Sequence, residues 1–181
     1  MTTKAAFNAE EWSVVVVAPA LTGLLVVSAG RGGTVRESVA ISRAYAEARE
    51  NRPGPLMQEV LETPAGVNPR QAPRSGEELE SHALNRLRAA IRILDQHATP
   101  EEVAEYKRFV YGLAEAVANA HKEGGFLGVG GTRVSEGEQA VLDRVAAIFD
   151  APPAVAPETG EDDPPLAAAD DEPRDPPPAA A

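Results

Sequence analysis

Apolar residues recur at alternating steps of three and four along two long stretches of the chain. In residues 75–97 and 100–122 they are Leu79, Ala83, Leu87, Ala90, Ile91 and Leu94, followed by Val103, Tyr106, Val110, Leu113, Val117 and Ala120. This spacing places the apolar side chains on one face of an α-helix. Because only a short turn at residues 95–100 joins the two stretches, we expect two antiparallel helices that form the centre of a bundle.

Helix starts are marked by a repeated capping pattern, in which a cap residue is followed three positions later by an acid that can bond back to it. The pairs are Asn8 with Glu11, Thr34 with Glu37, Ser75 with Glu78, Thr99 with Glu102, and Ser135 with Glu138. At the first start, Phe7 and Trp12 occupy the two positions of a hydrophobic staple. The pattern predicts helices at residues 9–28, 35–50, 75–97, 100–122 and 136–149, with a shorter helix at 55–62.

The apolar run at residues 14–27 predicts a buried core helix. Its first four residues favour β-structure, but no second alternating run could pair with them. The run contains Pro19 and Gly23 and is shorter than the roughly 20 residues that cross a bilayer. The last helix is expected to pack on the bundle through an apolar face that consists of Val141, Leu142, Val145, Ile148 and Phe149. The predicted fold class is all-α, a bundle of five to six helices.

The chain divides into a helical domain at residues 1–150 and a tail at 151–181. Within the domain, an N-terminal helical half (8–62) and a C-terminal one (75–150) flank a linker at 63–74 that is rich in proline, and whether the halves share a core stays open. The tail holds nine prolines and eight acids, with Val155 and Leu166 as its only larger apolar residues. Nothing in it can offset the entropy of ordering, so a disordered acidic Pro/Ala-rich tail is predicted.

The amino-acid composition excludes several kinds of binding site. The chain has no cysteine, which excludes disulfides and thiolate metal sites and fits a cytoplasmic location. The net charge is −11, of which the tail carries −7 (one base, eight acids) and residues 1–150 carry −4. We identified no clustered basic surface in the sequence, so nucleic-acid binding is not expected.

The most distinctive segment joins the last two predicted helices and is rich in glycine. Its candidate partner-binding residues are Gly124, Gly125, Phe126, Leu127, Gly128, Gly130, Gly131 and Arg133. Glycine clusters can cradle phosphate, but the phosphate loop and the dinucleotide fingerprint both follow a strand, whereas a helix precedes this segment. Two other interpretations stay open: an irregular packed loop that ends the helix at Gly124, and a recognition surface for a protein partner.

Catalytic and metal-binding patterns have little support. Glu78 and His82 are one turn apart on a predicted helix, but capping and exposure explain both, and the Glu-x-x-His pairs of di-iron bundles are absent from the sequence. No nucleophile and base can be nominated together. We therefore predict no catalytic residues, no metal ligands and no cofactor.

Two resemblances extend this interpretation. The segment HKEGGFLGVGGTRVSEGE at residues 121–138, with FNAEEW at 7–12 and the Ala-Pro pair at 18–19, resembles a family of small, uncharacterised bacterial helical proteins over most of residues 7–149. That resemblance implies an all-helical fold and no particular reaction. The segment VSEGEQAVLDRVA at 134–146 is similar to the last helix of tellurium-resistance B-type domains, which commonly carry a metal-linked Asp-Gly turn where this chain has Gly131-Thr132-Arg133.

Three functional hypotheses follow from the sequence. The first is a non-enzymatic helical accessory or scaffold protein that binds a protein partner, with the oligomeric state left open. The second is a stress-response protein of the tellurium-resistance type that binds a metal or a small ligand. The third is association with a membrane surface through residues 12–28, because a short apolar stretch can also be interfacial.

Overall fold

The computed structural model describes residues 1–30, 34–66, 75–120 and 134–151. A short 3-10 helix at Lys4–Ala6 precedes the main elements. The α-helices are α1 (Ala9–Ala29), α2 (Thr34–Glu50), α3 (Pro55–Glu62), α4 (Gly76–His97), α5 (Pro100–Asn119) and α6 (Glu136–Asp150). Across these described ranges there are six α-helices and no strand, so the all-α prediction is confirmed. Residues 67–74 of the predicted linker and 152–181 of the predicted tail lie outside the described residues.

The capping pattern places helix starts correctly. In α1, the Asn8 side chain accepts from the backbone N–H of Glu11 at 2.9 Å, and the Glu11 carboxylate accepts from the N–H of Asn8 at 2.9 Å. The same reciprocal box forms at Thr99 and Ser135, and Ser75 accepts from the N–H of Glu78. The cap predicted at Thr34 and Glu37 concerns side chains outside the described part of the chain. Local hydrogen bonds therefore set the starts of four helices.

The aromatic staple also forms. The rings of Phe7 and Trp12 have centroids 5.5 Å apart, and both side chains are buried. His97, at the end of α4, adds an edge-on contact to Phe7 at 5.3 Å and lies 3.6 Å from a carboxylate oxygen of Glu11. The start of α1 is thus fixed both by its own cap and by the end of α4.

Helices α1 and α5 lie at the centre of the bundle, because each of them contacts all five other α-helices. The prediction that α4 and α5 form the centre is therefore right for α5 and wrong for α4, which packs along α1 and meets α5 only over a small area. Apolar side chains lie almost all around α1, so it can bury surface against several neighbours, while α4 and α5 each have a single apolar stripe. The end of α4 lies at the start of α1, so these two helices are antiparallel.

A proline in the middle of α1 is compensated from α5. Pro19 has no N–H, so the carbonyl of Val15, four residues earlier, lacks its helical donor. The hydroxyl of Tyr106 donates to that carbonyl at 2.7 Å, and Tyr106 is fully buried. Burial raises the pKa of Tyr106 well above its ordinary value, which keeps the hydroxyl protonated as a donor. The contact satisfies a buried carbonyl and sets α5 at a fixed position along α1.

One hydrophobic core spans the bundle, and it draws on both segments that flank residues 63–74. Its buried members include Val15, Leu21, Val26, Leu56, Met57, Leu61, Leu87, Leu94, Tyr106, Val110, Leu113, Val145 and Ile148. The predicted faces of α4, α5 and α6 are confirmed, except that Leu79, Ala120 and Phe149 are only partly buried. Helix α2 lies at the periphery and packs mainly on α5. Its outer position creates the groove described next.

Candidate docking groove between α2, α3 and α5

A groove of about 530 Å³ lies between α2, α3 and α5. It is lined by Ala44, Glu47, Ala48, Asn51, Pro53, Met57, Leu61, Glu105, Arg108, Phe109, Gly112, Leu113 and Ala116. The base consists of Met57, Leu61 and Leu113, which are buried members of the core. The base of the groove therefore consists of core side chains that are themselves closed to the solvent, since each of the three is 1% exposed.

Small residues form the two long walls. Ala44 and Ala48 lie one turn apart on α2, and Gly112 and Ala116 lie one turn apart on α5. A methyl group built at Gly112 would meet no atom within 4 Å, so the space above that residue is open. Walls of this kind allow the backbone of another segment to approach both helices closely.

Charged groups stand at the rim rather than at the base. Glu105 accepts from the backbone N–H of Gly54 at 2.9 Å, which anchors the connection between α2 and α3 to α5. Any Cβ at residue 54 would lie 2.7 Å from the Glu105 carboxylate, so the close approach favours glycine there. Glu47 and Arg108 complete the rim with opposite charges. The groove therefore has an apolar interior and a mixed polar edge.

An aromatic pair supports the wall between α2 and α5. The rings of Tyr45 and Phe109 meet edge to face at 5.1 Å, and the guanidinium of Arg49 lies 5.9 Å from the centre of the Tyr45 ring. Arg49 also donates to the carbonyl of Leu61 at 3.2 Å, which ties α2 to the end of α3. Burial raises the pKa of Tyr45 to about 12, against a smaller lowering by Arg49. The phenol is thus neutral at physiological pH and is a poor candidate for a base.

The glycine-rich residues predicted as a partner-binding loop, Gly124 through Arg133, lie outside the described residues. Their flanks are described: α5 ends at Asn119 and α6 begins at Glu136. Ala116, at one end of the groove, lies in the last turn of α5. The chain thus leaves α5 for the glycine-rich segment beside the groove.

The residues considered for metal binding are not brought into a cluster. Glu78 lies in the exposed first turn of α4, and His82 is half-buried one turn later. Over residues 1–30, 34–66, 75–120 and 134–151, no group of three or more His, Asp or Glu side chains could hold a metal ion.

Helix α1 is the one helix of the described part that is long and apolar enough to cross a membrane. About half of its most apolar window, 56%, is buried inside the protein, and buried core helices of soluble proteins pass the same test. Its outward stripe contains Val17, Ala20 and Leu24, of which Leu24 is 39% exposed. The predicted core role of residues 14–27 is confirmed by the burial of the opposite face.

Sequence reasoning missed the residues that shape the groove. Ala44, Ala48, Gly112 and Ala116 carry no chemistry of their own, and their small size at a spacing of four was the only available signal. That α2 and α5 would face each other is a long-range fact that no local pattern predicts. Comparison of the chain with protein-family models, with curated proteins and with solved structures gives no match. The two resemblances drawn from the sequence therefore stay predictions.

Proposed function

We propose that this protein is a non-enzymatic helical accessory or scaffold protein of the cytoplasm that binds an apolar helix of a protein partner in the groove between α2, α3 and α5. The observation that carries the proposal is the open apolar groove with small-residue walls. An amphipathic helix laid into a hydrophobic groove is a recurring mode of recognition. The glycine-rich segment predicted from the sequence as a partner-binding loop lies outside the described residues and stays a separate prediction.

The shape of the groove favours a helix as its occupant. Both walls are helices, and each presents two small residues one turn apart, so a third helix can approach both at the distances usual for helix packing. Its apolar side chains would pack against the small residues of the two walls, above the buried side chains of Met57, Leu61 and Leu113. The rim residues Glu47 and Arg108 could pair with charges that flank the apolar face of the partner.

A small ligand is the second candidate, and the size of the groove favours it. A volume of about 530 Å³ lies within the range of small-molecule sites. Such sites usually enclose most of their ligand, however, and this groove is open along one side. We therefore propose the helix first and treat a small ligand as a separate outcome of the experiment.

The experiment uses a matched pair of substitutions on α5. Ala116→Arg places a long charged side chain in the groove, whereas Ala104→Arg makes the same change at an exposed position on α5 outside it. Three tagged full-length chains are expressed in the source cell: the parent, the Ala116→Arg variant and the Ala104→Arg variant. The proteins that co-purify with each are quantified by mass spectrometry. Each candidate is then purified and its affinity for the three chains is measured by calorimetry.

The proposal predicts a partner whose affinity falls at least about tenfold with Ala116→Arg, because a charge would be buried against the apolar base, and stays unchanged with Ala104→Arg. A small molecule that native mass spectrometry detects on the parent chain and not on Ala116→Arg would replace the helix by the ligand. If no protein or ligand distinguishes the two variants, the groove is not the binding site and the proposal is wrong.

A further inference from the structure

A second groove, of about 500 Å³, lies on another side of the bundle between α4 and α6. It is lined by Glu80, Leu84, Arg88, Arg144, Ala147, Ile148 and Ala151. Leu84 and Ile148 belong to the edge of the core, and Arg144 forms an ion pair with Glu80 that joins the two helices. At this end of the groove, the charge of Arg144 is therefore balanced by the charge of Glu80.

Two arginines, Arg88 and Arg92, lie towards the other end. The guanidinium of Arg88 donates to the amide oxygen of Asn85 at 3.1 Å. Arg92 follows one turn later on the same face of α4 and is exposed. Within the described residues, neither arginine forms an ion pair with a carboxylate, and α4 contains no acid between Glu80 and Asp95. No pattern in the sequence had singled out these two arginines.

The acidic tail starts at this groove. Ala151, the residue at which α6 ends, is itself part of the lining. Glu158 follows seven positions later, and Glu161, Asp162 and Asp163 come after two further residues, Thr159 and Gly160. Seven residues can span at most roughly 25 Å, whereas Arg88 lines the same groove as Ala151, so the reach of the chain is not limiting.

We propose that the acidic segment at residues 158–163 docks on Arg88 and Arg92, beside the groove between α4 and α6. Exposed ion pairs are individually weak, but a tether this short raises the effective concentration of the segment to the millimolar range. A nucleic acid is a poorer occupant, because two arginines neutralise few phosphates and the tail itself, with a net charge of −7, repels a polyanion.

This contact of residues 158–163 with Arg88 and Arg92 is separate from the groove between α2, α3 and α5, and its test does not depend on that proposal.

The experiment uses paramagnetic relaxation in the full-length chain. Because the chain has no cysteine, Gly160→Cys creates a unique attachment point for a spin label among the acids of the segment. Broadening of backbone amide signals is then measured along α4 and α6 and, for comparison, along α2. Three versions are compared: the labelled parent, the double substitution Arg88→Gln with Arg92→Gln, and the control Arg43→Gln with Arg52→Gln, which removes the same charge from two exposed arginines in and just after α2.

We expect strong broadening of amides around Arg88 and Ala147 at about 0.01 M salt and its loss at about 1 M salt, where the Debye length is about 3 Å. The Arg88/Arg92 substitutions should lower the docking equilibrium constant roughly twofold to thirtyfold, the worth of two exposed ion pairs, while the Arg43/Arg52 control keeps it. A sample mixing labelled chains with isotopically marked unlabelled ones should show no such broadening. Equal broadening on α2, no effect of the Arg88/Arg92 substitutions, or transfer between chains would overturn the proposal.

Discussion

The hydrogen bond from Tyr106 to the Val15 carbonyl offers the sharpest test of how this bundle is held together. Tyr106→Phe removes the hydroxyl and little else. Because Pro19 has no N–H to offer, the Val15 carbonyl would then be buried without a donor, and the cost is the full desolvation penalty of that group, about 1–3 kcal/mol of unfolding free energy. Tyr111→Phe, on the same helix at a hydroxyl with no hydrogen bond in the described part of the chain, should change stability by less than about 0.5 kcal/mol.

Urea unfolding followed by fluorescence measures these changes, since the single tryptophan, Trp12, is buried at the start of α1. The decisive measurement is a double-mutant cycle with Pro19→Ala. That substitution restores a backbone N–H for the Val15 carbonyl, so Tyr106→Phe should then cost only the roughly 0.5–1.5 kcal/mol of an ordinary hydrogen bond. Tyr106 and Pro19 should therefore be coupled by about 1 kcal/mol. Additivity within about 0.3–0.5 kcal/mol would refute the argument that the hydroxyl substitutes for the missing N–H.

Two further predictions concern helix glycines and alkaline pH. Gly112→Ala should stabilise the protein by about 0.5–1 kcal/mol, because the space that the new methyl group would occupy is open. Gly137→Ala should destabilise it by about 1–3 kcal/mol, because the new methyl group would lie 2.8 Å from the Ala29 carbonyl oxygen. Thermal unfolding in which both substitutions shift the midpoint in the same direction would contradict this prediction. The pKa of Tyr45 is about 12 in the folded state, against an ordinary value of 10. The neutral phenol therefore contributes up to roughly 2–3 kcal/mol to the free energy of unfolding, a contribution that is complete below pH 10 and lost as the pH rises to 12. Urea unfolding at several pH values measures this loss, and Tyr45→Phe should reduce it.

The regions predicted well are those governed by neighbours in sequence. Asn8, Thr99 and Ser135 bond to groups three residues away, so a short window of sequence contains the whole interaction. The apolar stripe of α5 likewise follows from spacing alone, and its main members are buried as expected. The predicted glycine-rich site lies outside the described residues, so its role stays a prediction.

The candidate grooves were not predicted, because each depends on which helices lie side by side. Arg88 and Ala151 become neighbours only when α6 packs beside α4. Similarly, Gly112 gains a possible role only because α2 packs on α5 and leaves space between them. A pattern of local spacing contains no information on such pairings, which are selected by the total surface that the bundle buries.

Sequence alone determined the helical class and the helix starts, since these rest on backbone hydrogen bonds and caps within a few residues. Tertiary structure decided that α1, rather than α4, lies beside α5 at the centre, because α1 can bury apolar surface in almost every direction. It also decided how the chain tolerates Pro19: the donor that the helix lacks comes from Tyr106, a residue that reaches Val15 only after α5 has packed against α1. Long-range packing is what converts that local defect into a specific contact.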